Sequence, residues 1–136
     1  MSDWKTLLER AEVRIAELEA RTLTGLMRAI RADNERWWID LDTEHPVERN
    51  VGEMIALMHS ELSEALEGHR KSLMDDHLPH RQMFAVELAD CIIRILDTAA
   101  HLCPDFEAIL LEKLAYNRKR ADHKIENRRM ANGKKY

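Results

Sequence analysis

Glycine and proline are scarce in this chain, at 4 and 3 of 136 residues. So few chain-breaking residues exclude a turn-rich architecture and favour long helices. Cysteine occurs twice, as Cys91 and Cys103, and forms no Cys-x-x-Cys pair. Cys91 lies beside Ile92 and Ile93, which predicts a buried, reduced thiol and fits a cytoplasmic location. No apolar run approaches the roughly 18 residues that a membrane span needs. The opening Met-Ser-Asp-Trp-Lys lacks the apolar core of a secretory signal, so none is expected. Bulk positive charge is also missing. The formal net charge of −4 leaves no basic footprint for nucleic acid, and no nucleic-acid partner is expected. The last stretch is nevertheless locally basic, from Arg118, Lys119 and Arg120 through Lys124, Arg128 and Arg129 to Lys134 and Lys135. It could bind polyphosphate or remain a solvated end.

Apolar residues make up 45% and charged residues 34%, the balance of a soluble globular protein. The length suggests one domain, able to bury about two-thirds of its unfolded surface. A first helix is expected from Ser2 or Asp3, carrying Leu7, Leu8, Ala11, Ile15 and Leu18 at helical spacing. After a break near Thr22–Gly25, the pattern resumes through Leu26 and Ile30 to Trp37 and Trp38. Asp40 to Glu48 reads as a loop punctuated by Pro46. A second helix runs from about Arg49 to Arg70, with Val51, Met54, Ile55, Met58, Leu62, Ala65 and Leu66 on one arc. A third runs from about Arg81 to Leu102 and is apolar over most of its circumference, which predicts a central position. Its narrow polar strip holds Glu87, Asp90, Arg94 and Asp97. Pro104 opens a fourth helix, and Asn132-Gly133 marks a turn near the end. The fold class is therefore all-α, a bundle of four to five helices.

Two pairs of carboxylates stand out. Glu61 and Glu64 are spaced i, i+3 on the second helix, and Glu87 and Asp90 are spaced i, i+3 on the third. Residues so spaced are neighbours, with Cβ atoms roughly 5–6 Å apart. If the two faces oppose each other, four acids converge. Such a cluster repels itself unless a cation joins it or some groups take up protons. Glu61 falls at the edge of the apolar arc, where a carboxylate needs a partner. All-oxygen ligation suits Mg²⁺, with Mn²⁺ as a substitute, rather than Zn²⁺. A di-iron centre would use Glu-x-x-His, and no histidine stands at either i+3 position. With 25 acidic residues in 136, pairs at this spacing also arise as ordinary solvated faces.

Three further residues could meet an anion. Lys113, Asn117 and Arg120 lie at i, i+4 and i+7 on the fourth helix, combining a point charge, an amide and a planar fork. Cations near a helix C-terminus are favoured anyway, so this stripe alone is weak. Trp37 and Trp38 are adjacent and cannot point the same way on a helix; one suits the core, the other could stack on a base. His45 in the following loop is a second candidate for a base.

Together these residues resemble the MazG-like nucleoside triphosphate pyrophosphohydrolases. The resemblance is carried by Glu61-x-x-Glu64, 22 intervening residues, Glu87-x-x-Asp90, and the later Lys113-x-x-x-Asn117-x-x-Arg120. Glu35-Arg36-Trp37-Trp38, His45-Pro46 and Asn50 resemble the dCTP pyrophosphatase branch, and Gly133-Lys134-Lys135-Tyr136 resembles the end of short phage and bacterial single-domain members. The resemblance implies an all-α homodimer or homotetramer that hydrolyses an NTP or dNTP to the monophosphate and pyrophosphate. It implies Mg²⁺ on Glu61, Glu64, Glu87 and Asp90, with Glu64 also taking a proton from water. Lys113, Asn117 and Arg120 would hold phosphates, Lys113 contributing to catalysis, and Trp38, then Trp37 and His45, would meet the base. Residues 1–33 would be a helical extension, 34–123 the catalytic bundle and 124–136 a basic tail, within one domain. His59-Ser60 departs from the pattern, since many members carry a small glycine there, and this bears on substrate preference. The competing possibility is a non-catalytic helical interaction module that docks a partner through its basic tail.

Overall fold

The computed structural model describes residues 21–134, together with 9, 10, 12 and 13. The protein is all-helical. Its helices are α1 (Leu23–Asn34), α2 (Val51–Lys71), α3 (Met83–Leu102), α4 (Phe106–Lys119) and α5 (Ile125–Arg129). Short 3₁₀ turns follow α1 at Glu35–Trp37 and α4 at Ala121–His123. No strand forms among the described residues; two isolated bridges, Ile39 to Pro46 and Met74 to Gln82, pin the loops. No described helix is long and apolar enough to cross a membrane. Leu7, Leu8, Ala11, Ile15 and Leu18 of the expected first helix lie outside the described residues.

The chain divides into two compact units, Met1–Cys103 and Pro104–Tyr136. The sequence suggests one domain with internal boundaries at 33/34 and 123/124; the boundary between the two compact units lies at Pro104, ahead of α4.

In the first unit, α3 packs against both α1 and α2. The break expected near Thr22 is the start of α1, where the Thr22 hydroxyl caps the helix by accepting from the Gly25 amide at 2.9 Å. Asn50 caps α2 in the same way, accepting from the Glu53 amide. At the far end of α2, Ser72 takes a left-handed conformation with φ of 53° and turns the chain back toward α3. The loop between them is tied shut. The Leu73 carbonyl accepts from the Met83 amide, and the Asp75 carboxylate accepts from the His77 and Leu78 amides. Gly68 lies at a close approach of the two helices: a Cβ there would stand 2.9 Å from Met83 Cβ.

The buried line of α2 is Met54, Glu61, Ala65 and Gly68. Val51, Ile55, Leu62 and Leu66, expected on the same apolar arc, are exposed in the single chain. Glu61 thus occupies the middle of the buried strip rather than its edge. On α3, Cys91, Leu96, Ala99 and Ala100 are buried alongside Glu87 and Asp97. Ile92, Ile93 and Leu102 of the same helix are exposed, so α3 is central to the unit without being enclosed by it.

The second unit holds α4, α5 and the basic stretch, which is folded over its described residues. The Arg128 guanidinium donates to the Lys134 carbonyl, and the Gly133 amide closes a turn on the Met130 carbonyl.

Candidate metal centre

Packing of α2 on α3 brings Glu61, Glu87 and Asp90 together, with one carboxylate oxygen from each within 4.8 Å of the others. Glu61 and Glu87 are only 7% and 8% exposed, and Asp90 is the most open of the three. Glu64, the fourth expected ligand, does not join them. It is exposed, while Glu61 is buried.

Two charges balance the cluster. The Arg94 Nε donates to Glu61 Oε1 at 2.5 Å. The second is a proton. Glu87 is raised to about 7, chiefly by burial, then by its hydrogen bond to Glu61 and by the charges of Glu64, Glu61 and Asp90. Neutral Glu87 can therefore donate to Glu61. Asp90 is also raised, by burial first and by the charge of Glu61, while Arg94 opposes the shift. Crowded, partly desolvated carboxylates, two of them raised above their ordinary values, are the arrangement a hard divalent cation relieves. The triad can hold a metal ion.

Two hollows flank the triad and share Glu61, Asp90 and Arg94. One, of about 530 Å³, is also walled by Trp37, Arg49, Met54, Leu57 and Asp97. The other, of about 490 Å³, adds Glu64, Asp75, His77 and Glu87.

The two tryptophans diverge because helix α1 ends before them. Trp38 is buried, its Nε1 donating to Asp97 Oδ2 at 3.1 Å. Its ring stacks on His101 with centroids 3.8 Å apart, and the Arg49 guanidinium lies over the same ring. Trp38 is thus already engaged, whereas Trp37 is 61% exposed and lines the larger hollow. His45 is exposed, and its carbonyl closes the Asp40–His45 turn by accepting from the Asp40 amide. It lines neither hollow.

Lys113, Asn117 and Arg120 all belong to the second unit. Arg120 follows the last residue of α4 in extended backbone, so the i, i+4, i+7 stripe does not reach it. Its guanidinium forms a bidentate pair with Asp122. The Lys113 ammonium lies 4.8 Å from the Tyr116 ring centre, and Asn117 Oδ1 is buried with no hydrogen bond among the described residues.

The sequence by itself assigns no role to Arg94, Arg49, Asp97 or Asp75. Arg94 is the most legible of them, since it lies four residues beyond Asp90 on the same polar strip. Asp97 can be found only through Trp38, 59 residues away.

The chain matches no protein-family model, no curated protein and no solved structure.

Proposed function

We propose that this protein is a Mg²⁺-dependent nucleoside triphosphate pyrophosphohydrolase of the MazG-like kind, cleaving an NTP or dNTP to the monophosphate and pyrophosphate. The convergence of Glu61, Glu87 and Asp90 from two helices carries this reading. The spacing of Glu61-x-x-Glu64 and Glu87-x-x-Asp90 supports it, as does a hollow of nucleotide size beside the triad. Glu61, Glu87 and Asp90 would hold the cation. Bound there, Mg²⁺ would neutralise phosphate charge and acidify an attacking water.

The residues of the chain do the rest. Glu64, exposed beside Glu87, is free to accept a proton from water. Trp37 offers an open aromatic face for the base, in preference to Trp38. Met54 and Leu57 give that side of the hollow an apolar wall. Lys113 and Asn117 remain proposed phosphate contacts, and Arg120 would have to leave Asp122 to serve as one. A homodimer or homotetramer is part of the proposal.

The test is pyrophosphate release from the eight common NTPs and dNTPs with Mg²⁺, for the wild type and Glu61→Gln. Release from at least one nucleotide is expected, falling on the order of 100-fold or more in the variant, as when a preorganised electrostatic contact is removed. No release from any nucleotide, with a melting temperature indifferent to Mg²⁺, would refute it. The non-catalytic interaction module would then be favoured.

A further inference from the structure

We propose that Arg94 is the residue that receives the substrate's phosphate chain, and that a divalent cation releases it for that task by taking Glu61. This rests on the nucleotide function proposed above and names its phosphate contact.

Arg94 stands four residues past Asp90 on α3, so the two side chains share a face. Its Nε is bonded to Glu61 Oε1, the one hydrogen bond of this guanidinium among the described residues. The two terminal nitrogens, which form the bidentate edge of a guanidinium, have no partner among those residues. The Arg94 side chain is 42% exposed, whereas that of Glu61 is 9% exposed. The pair therefore joins a buried carboxylate to a cation standing at the opening. Arg94 also lines both hollows, so its unused edge borders space on either side of the triad.

Charge decides the outcome when a divalent cation arrives. Glu61 can neutralise one strong neighbour well, and two cations on one buried carboxylate repel each other. The doubly charged ion wins, because it is also held by Glu87 and Asp90. Arg94 then loses most of its attraction to Glu61 while keeping its charge, and it needs a new anion. A phosphate chain drawn to the metal supplies one, in the planar geometry a guanidinium matches best. Without substrate, the Arg94–Glu61 pair protects the site against empty charge repulsion. Arg49 is the other arginine on the larger hollow, but its guanidinium is laid over the Trp38 ring. Arg120, the arginine of the expected phosphate set, is held by Asp122.

Calorimetric titration of the full chain tests this, using Mg²⁺ alone and then inorganic tripolyphosphate in the presence of Mg²⁺. Wild type, Arg94→Gln and Arg94→Lys are compared. Arg94→Gln should bind Mg²⁺ more tightly, because a competing cation is gone. It should bind tripolyphosphate about tenfold or more weakly, the loss of a charge-assisted contact. Arg94→Lys keeps the charge and so the wild-type Mg²⁺ affinity, yet loses the fork and weakens tripolyphosphate severalfold. Unchanged tripolyphosphate affinity in Arg94→Gln, with Mg²⁺ binding intact, would overturn the role of Arg94 alone. Weaker binding of both ligands would show that Arg94 merely holds Glu61 in place, which also overturns it. Failure of the wild type to bind Mg²⁺ would instead refute the nucleotide function, and this role with it.

Discussion

Glu87 is shielded from water and ringed by other carboxylates, so it keeps its proton up to about pH 7 instead of the ordinary 4.5. Between those two values the folded chain holds a proton that the unfolded chain has already released. Stability then falls as pH rises, because the native state binds more protons than the unfolded state. With chelator present, the melting temperature should decline from about pH 4.5 to about pH 7 and then level off. Glu87→Gln should remove most of that decline, since an amide has no proton to lose. Saturating Mg²⁺ should also flatten it, by stabilising the ionised triad. A wild-type melting curve independent of pH across this window would show that the cluster is not strained. The same residue scale shows where sequence reading stops. The acid motif is visible as spacing, but the counter-charge that Arg94 gives Glu61 depends on a side-chain pairing across two helices. The engagement of Trp38 by His101, Asp97 and Arg49 is equally hidden, because adjacent tryptophans look alike until the chain leaves the helix before them.

The α2–α3 hairpin is the element on which the site depends, and its closed end sets the separation of Glu61 from Glu87. Gly68 permits that closeness. Gly68→Ala would press a methyl group against Met83 Cβ and the Phe84 amide nitrogen, both fixed by backbone. A loss of about 1–3 kcal/mol is expected from such overpacking, together with a smaller Mg²⁺-induced rise in melting temperature as the helices part. Wild-type behaviour in both measurements would mean the hairpin tolerates a wider crossing. Ser72 offers the opposite case. It holds a left-handed conformation that costs an L-residue roughly 1–2 kcal/mol and glycine very little. Ser72→Gly should therefore raise stability by about 0.5–1 kcal/mol by denaturant titration, after the added chain entropy of glycine is offset. Both helices are legible from their apolar period, and the loop before α2 from Pro46. Neither the left-handed serine nor the need for glycine at 68 follows from period alone.

At the scale of the molecule, the buried apolar set is small. Met27, Trp38, Met54, Ala65, Cys91, Leu96, Ala99 and Ala100 form it, and none of the largest described side chains is fully enclosed. Ile55, Leu62 and Leu66 on α2 and Ile92 and Leu102 on α3 remain exposed. Apolar area of this extent is what the proposed dimer or tetramer would cover. Light scattering at micromolar concentration should give a dimer or tetramer. Leu66→Glu should lower that mass while the chain stays helical by circular dichroism. A wild-type monomer would overturn the expected assembly. The thin core and the exposed apolar side chains are the two sides of one observation: the period that forms the helices supplies more apolar surface than the described residues cover.

The sequence alone determined that the protein is helical, where α2 and α3 lie, and that each carries two acids one turn apart. Those are local properties, fixed by side-chain period and by caps a few residues away. Tertiary structure decided which three of the four acids meet, that Glu61 is buried beneath Arg94, and that Trp37 rather than Trp38 stands open. Each of these depends on the rotation of one helix against another, with partners 33 residues apart for Glu61 and Arg94 and 59 apart for Trp38 and Asp97. Local periodicity does not encode that rotation; the fit of Gly68 against Met83 and the closed loop between the helices do.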